Sequence, residues 1–228
     1  GSKGIGYGIA ESLVKDGYRV AISGRTKDTI EKAAQRLNEI KPGTALPIVS
    51  DVRNLEDEQS AVKQILDKWG RLDVLVANAG LGHFASIEEM TTEQWSQVID
   101  TNLTGVFHSI KAAADELKKN KGYFITIASL AGANFFPKGA AYNASKFGLV
   151  GFTQAVMLDL RPYEVKTTTI MPGSVATYFN DNDPGEKDSW KIQPEDIGQM
   201  VSDLLKMHPR TLPSKIEVRP SVPPSAKK

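Results

Sequence analysis

The chain has 228 residues, 40% hydrophobic and 24% charged, enough for one sizeable α/β domain with its own core. A formal net charge of +1 gives no electrostatic reason to expect nucleic acid or an anionic membrane surface as a partner. The absence of cysteine excludes disulfides, thiol catalysis and thiolate metal sites, and the scattered His83, His108 and His208 point to no metal centre.

Strand-like and helix-like patterns alternate along the chain. It opens with the glycine-rich turn Gly1-Ser2-Lys3-Gly4-Ile5-Gly6-Tyr7-Gly8, followed by a helical run from Ile9 to Lys15. Glycines at a helix start let backbone N–H groups approach a phosphate, and the helix dipole adds attraction. No apolar run precedes Gly1, although a doubly wound sheet needs a central strand there; the sequence is therefore expected to begin inside the turn. Arg19 to Ser23 reads as a strand, Thr26 to Ile40 as a helix through Ile30, Ala33, Ala34 and Leu37, and Ala45 to Val49 as a second strand. Leu55 to Trp69 is helical, and Val74 to Ala77 is a short buried strand. Thr91 and Gln94 have capping-box spacing for a further helix. Leu103, Val106, Phe107, Ile110 and Leu117 mark a long helix. Tyr123 to Ala128, Val165 to Ile170 and Lys215 to Val218 supply the later strands.

This alternation predicts an α/β, Rossmann-like doubly wound parallel sheet with helices on both faces, in a single domain over residues 1–219. Residues 220–228, rich in proline and ending in two lysines, read as a disordered tail. No apolar run is long enough to span a bilayer and no signal peptide is visible, so a cytoplasmic location is the default expectation. From Phe147 to Leu158 there is no charged residue. A helix that is apolar all round must be covered on every side, and one sheet covers one side only. A homo-oligomer, dimer or tetramer, is expected.

The most informative segment is Tyr142-Asn143-Ala144-Ser145-Lys146, with Ser129 upstream at the end of a buried strand. On a helix, Tyr142 and Lys146 share a face one turn apart. A nearby ammonium favours the phenolate and is expected to bring the Tyr142 pKa down from its free value of about 10, toward the range of a general acid or base. Side chains at the carboxyl ends of parallel strands, such as Ser129, border the usual ligand crevice.

In their order and spacing these motifs resemble the short-chain dehydrogenase/reductase family over essentially the whole chain. The family's glycine turn matches with Gly4 and Gly6 as its second and third glycines. Its Asp-Val pair is matched by Asp51-Val52, its Asn-Ala-Gly by Asn78-Ala79-Gly80, and its helix asparagine by Asn102. Its serine, tyrosine and lysine are matched by Ser129, Tyr142 and Lys146, and its Pro-Gly-x-Val-x-Thr segment by Pro172, Gly173, Val175 and Thr177. The absent first strand and a C-terminus without a glycine pair depart from the pattern.

The resemblance implies hydride transfer between a nicotinamide cofactor and a carbonyl or alcohol. Tyr142 would be the proton donor or acceptor, Lys146 its pKa modulator and ribose contact, Ser129 the group that holds the substrate oxygen, and Asn102 the holder of a relay water. Ser2, Lys3, Gly4, Ile5 and Gly6 would cradle the phosphates. Asp51 and Val52 would meet the adenine, Asn78 to Gly80 the cofactor ribose side, and Pro172, Gly173, Val175 and Thr177 the nicotinamide side. The residues after the second strand, Ser23-Gly24-Arg25, hold no acid, and Lys3 and Arg25 are basic, which predicts NADP(H) over NAD(H). For several residues the plainer alternative is structural: a helix cap for Asp51 or Asn102, a strand-end hydroxyl for Ser129.

Phe135-Phe136, His83-Phe84, and Tyr178-Phe179 with Trp190 suggest an apolar pocket for a medium-sized ketone or aldehyde, and residues 178–193 read as a lid. A 3-oxoacyl thioester is the narrower expectation for the substrate. The competing reading is a nucleotide-binding sensor or scaffold without catalysis. Retention of Ser129, Tyr142 and Lys146 argues against it.

Overall fold

The structure is a computed structural model that describes residues 1–179 and 182–224. Its strands are all parallel, and they fall into two sheets. The residues cluster into two compact units, one built from 1–51, 173–211 and 219–228, the other from 52–172 and 212–218.

In the first unit, α1 (Gly4–Lys15), β1 (Val20–Gly24), α2 (Lys27–Ile40) and β2 (Ala45–Val49) follow one another, with α7 (Pro194–Lys206) packed along α1. β1 and β2 pair in register from Val20 with Ala45 to Gly24 with Val49. Alanines and β-branched residues set the layer spacing. Ile30, Ala33, Ala34 and Leu37 recur at the helical period on α2 and bury against Ala10, Val14 and Ile22. Leu37 and Ile30 are wholly buried, so truncating either to alanine costs about 2–5 kcal/mol. Asp16 at the end of α1 is held by Ser202 and Lys206 of α7.

In the second unit the sheet order is β3 (Val74–Ala77), β4 (Tyr123–Ile127), β5 (Lys166–Pro172), β6 (Lys215–Val218). Every residue of β4 is buried, as its largely apolar run requires of a parallel strand covered on both faces, and its Thr126 hydroxyl pairs with that of Thr153 at 3.1 Å. β5 instead carries Thr167, Thr168 and Thr169 in the interior. Thr168 bonds the Tyr123 hydroxyl (2.7 Å) and the Pro213 carbonyl (2.7 Å), and Thr169 accepts from Gln154 (3.3 Å). Thr168 and Thr169 are tolerated there because partners accompany them, whereas the buried Thr167 hydroxyl has no hydrogen-bond partner among the described residues. α3 (Leu55–Trp69) starts at Asn54, whose side chain accepts from the Glu56 N–H at 2.9 Å. α3 packs on α5 (Gly105–Asn120), with the buried Glu58 carboxylate accepting from Ser109 at 2.6 Å. α6 (Ala140–Leu160) lies against β5.

α4 (Thr92–Ile99) begins in the expected capping box of Thr91 and Gln94 and runs through a π-helical turn, Asp100–Thr104, into α5. The sequence reading placed a helix start near Thr91 and a further long helix at Leu103; the π turn joins them. α7 had no counterpart in that reading. The tail expectation falls partly on residues 225–228, outside those described. Among the described residues no helix is long and apolar enough to cross a membrane.

Candidate active site

β4 carries the chain to Ser129, whose hydroxyl accepts the Ala131 N–H at 3.1 Å and starts a 3₁₀ turn over Leu130–Gly132. That turn packs on α6, so Ser129 meets Tyr142 in the first turn of the helix. The two side chains are hydrogen-bonded. One turn further, Lys146 is 4% exposed, donates to the Ile127 carbonyl at 3.1 Å, and stands 5.7 Å from the centroid of the Tyr142 ring. Strand end and helix start thus bring hydroxyl, phenol and ammonium together, as the motif predicts.

The electrostatics depart from expectation. Burial raises the Tyr142 pKa above 10, and the Ser129 hydrogen bond only partly opposes it. Burial also lowers Lys146 from 10.5 to about 8. The phenol is therefore protonated at neutral pH, and burial rather than the Lys146 charge sets the direction of its shift.

Asn102 is wholly buried in the π turn and is not a helix cap. Its Oδ1 accepts from the Leu81 N–H (2.9 Å), and its Nδ2 donates to the Leu81 carbonyl (2.8 Å) and to Ser145 Oγ (3.0 Å). Ser145 in turn donates to the Tyr142 carbonyl at 2.8 Å. Asn102 therefore joins the segment after Asn78-Ala79-Gly80 to the helix of Tyr142 and Lys146. Gly80 lies where a Cβ would stand in ordinary van der Waals contact, 3.4 Å from Asn102 Oδ1 and 3.6 Å from Lys146 Nζ, so this glycine lies beside both groups. Ser145 and Asn143 were not singled out from sequence, although both sit in the pentapeptide; nothing in their spacing signals their partners. Val52 is held by its carbonyl, which accepts from His108 Nδ1 at 3.1 Å. Pro172 ends β5.

In the first unit, the turn Ser2–Gly6 leads into α1. Lys3 precedes the helix in extended conformation, no side chain caps it, and no acid lies in its first turn. Gly4 has φ +58°, which other residues rarely adopt, and its missing Cβ faces the Thr177 side chain at 3.4 Å. An uncapped helix start with glycine backbone and no acid fits a phosphate, and Thr177 reaches the same turn. Val175 bridges to Ile192. Arg25 is exposed just after β1, and Asp51 follows β2. Asn54, not Asp51, caps α3. Lys3 Nζ lies 5.4 Å from the Tyr178 ring centroid. Beyond it Asp188, buried, pairs with Lys191 at 2.6 Å and fixes the turn Glu186–Asp188 of the expected lid.

Of the aromatics, Phe84 meets the Tyr142 ring and Phe136 meets Phe84, while Phe135 is 88% exposed. His83 Nε2 lies 3.0 Å from Gln97 Oε1.

The sequence matches the model of the short chain dehydrogenase family over residues 1–188. The chain belongs to this family. It is 36% identical over 182 residues to a 3-oxoacyl-[acyl-carrier-protein] reductase of Synechocystis, covering 79% of this chain and 74% of that protein. Its structure superposes with TM-score 0.91 and 31% identity on an alcohol dehydrogenase of the archaeon Thermococcus sibiricus complexed with 5-hydroxy-NADP, covering 100% of this chain and 94% of that one. A 3-ketoacyl-(acyl-carrier-protein) reductase of Brucella melitensis complexed with NADH matches with TM-score 0.87 and 25% identity, covering 96% and 94%. The fold is thus Rossmann-like, and the short-chain dehydrogenase is an oxidoreductase.

Proposed function

We propose that this short-chain dehydrogenase reduces a ketone or 3-oxoacyl carbonyl at the expense of NADP(H). The observation that carries the reading is the meeting of Ser129, Tyr142 and Lys146 at the end of β4. A bound nicotinamide dinucleotide would supply the hydride to the carbonyl carbon. Tyr142, protonated at neutral pH, would give its proton to the carbonyl oxygen, leaving an alcohol. Ser129 would hold that oxygen by hydrogen bonding as negative charge develops on it. Lys146 would stabilise the resulting phenolate and return a proton to it, with Asn102 holding a relay water.

The turn Ser2–Gly6 would hold the phosphates, and Lys3 and the exposed Arg25 would meet a ribose 2′-phosphate. Asp51 and Val52 would meet the adenine. Asn78, Ala79, Gly80, Tyr142 and Lys146 would hold the nicotinamide ribose, and Pro172, Gly173, Val175 and Thr177 the nicotinamide. None of Ser23, Gly24 and Arg25, at the end of β1, is a carboxylate that would repel the 2′-phosphate. The Synechocystis relative supports a 3-oxoacyl substrate by its name. The test is NADPH oxidation with ketones, aldehydes and 3-oxoacyl thioesters. Turnover of one chemical group supports the reading, and its absence across the panel overturns it.

A second copy of the chain is the partner this reading adds. In the second unit Phe107 (45% exposed) on α5 and Phe147 and Leu158 (60%) on α6 lie exposed to solvent, and the stretch of α6 from Phe147 to Leu158 holds no charged residue. Apolar faces of this kind mark interfaces between subunits. A monomeric mass by light scattering at micromolar concentration would refute it.

A further inference from the structure

Asn143 stands between Tyr142 and Ala144 and is buried. Its Oδ1 accepts from the Phe136 N–H (3.3 Å), and its Nδ2 donates to the carbonyls of Ala131 and Asn134 (both 2.8 Å). One side chain thereby ties the segment 131–136 to the helix that carries Tyr142. A second tie runs from the Ala85 N–H to the Lys138 carbonyl at 3.1 Å and brings the segment after Gly80 to the same place. These bonds set Phe84 beside the phenol and Phe136 beside Phe84. Phe84 lies 5.5 Å from the Tyr142 ring at 62°, and Phe136 lies 5.9 Å from Phe84 at 46°. Tilted and edge-to-face contacts of this kind favour a further aromatic partner beyond the area it buries, by roughly three- to tenfold in an equilibrium constant. An aliphatic chain gains only the area. A wall fixed before binding also spends little freedom on the ligand.

We propose that Phe84 and Phe136 are specificity-determining residues, held by Asn143 as a positioning residue, and that they favour carbonyl substrates bearing an aryl or other flat unsaturated group over small aliphatic ones. This rests on the carbonyl-reductase reading above.

The experiment compares acetophenone with butanone as substrates for the full chain with NADPH, in wild type, Phe84→Leu, Phe136→Leu and Asn143→Ala. The expected result is a kcat/KM ratio in favour of acetophenone that falls three- to tenfold in each variant, carried mainly by KM. A ratio near one in wild type, or one that the leucine variants leave unmoved, overturns the proposal. Saturation-transfer NMR of the two ketones reads the wall without turnover. Preferential acetophenone contact that weakens in Phe84→Leu supports the wall even if turnover fails, in which case only the reductase reading falls. Equal contact overturns the wall whether or not turnover is seen. Leucine retains the apolar volume, and thermal melting of each variant separates a lost fold from a lost preference.

Discussion

Lys146 Nζ donates to the Ile127 carbonyl at 3.1 Å while standing 5.7 Å from the centroid of the Tyr142 ring. The ammonium is thus anchored to the strand that delivers Ser129 and faces the phenol from the next helical turn. Its burial has two measurable consequences.

The first concerns stability. Lys146 titrates near 8 in the folded chain and near 10.5 when unfolded. Between those values the unfolded chain binds more protons, so stability rises with pH. Below pH 8 both states are protonated and the cost of burying the charge is fully present. Lys146→Met removes this titration. Wild type should gain about 3 kcal/mol relative to the variant as pH rises from 8 to 10.5, measured by urea unfolding at each pH. A constant difference would contradict the burial of a charged Lys146.

The second concerns rate. On the proposed mechanism, ketone reduction needs Tyr142 protonated and Lys146 charged. Burial holds the tyrosine above its ordinary value, so Lys146 titrates first. The reductive kcat should be flat from pH 6 to 7 and fall as pH rises through about 8. In Lys146→Arg, with a cation that does not deprotonate, whatever activity remains should lose that inflection. A wild-type profile flat to pH 10 would sink the assignment.

Asn102 joins Leu81 to Ser145 through three hydrogen bonds. Asn102→Ala leaves the Leu81 N–H and carbonyl without their partner and should cost about 2–3 kcal/mol. Hydrogen exchange at the Leu81 amide should accelerate more than at amides of β4. Unchanged exchange at Leu81 would show that the bond is not what orders the segment.

Arg25 is exposed after β1, and neither Ser23 nor Gly24 before it is an acid. Arg25→Ala should reduce the preference for NADPH over NADH by about ten- to a hundredfold, the worth of a charge-assisted hydrogen bond. Steady-state KM values for both cofactors test this. An unchanged ratio would remove Arg25 from the cofactor assignment.

Much of this arrangement is legible in the chain. Largely apolar runs mark β3 and β4, strands of a parallel sheet, and the threefold-to-fourfold spacing of Ile30, Ala33, Ala34 and Leu37 marks α2, because burial of one helix face imposes that period. The convergence of Ser129 and Tyr142 follows from a strand end and a helix start in the right order. α7 was missed although its signals were present: Pro194 in the first turn, Asp196 bonding back to Gln193, and Ile197, Val201 and Leu204 on one face. The π turn was not legible. It is stabilised by what Asn102 meets, and Leu81 and Ser145 lie 21 and 43 residues away. The direction of the Tyr142 shift was also out of reach. Spacing reveals the lysine beside the phenol, but only packing reveals that burial sets the direction of the shift. Asn143 gave no signal because its three partners are backbone groups, which have no residue identity to read.

The central claim is that Tyr142 delivers the proton in a carbonyl reduction. The most direct measurement is the single-turnover reduction of a ketone by NADPH in wild type and Tyr142→Phe, with cofactor binding followed separately by fluorescence. The account predicts a loss of about 10²–10⁴ in rate for the variant, with NADPH still bound and the thermal melting point preserved. A variant that reduces the ketone at a rate near wild type would contradict it.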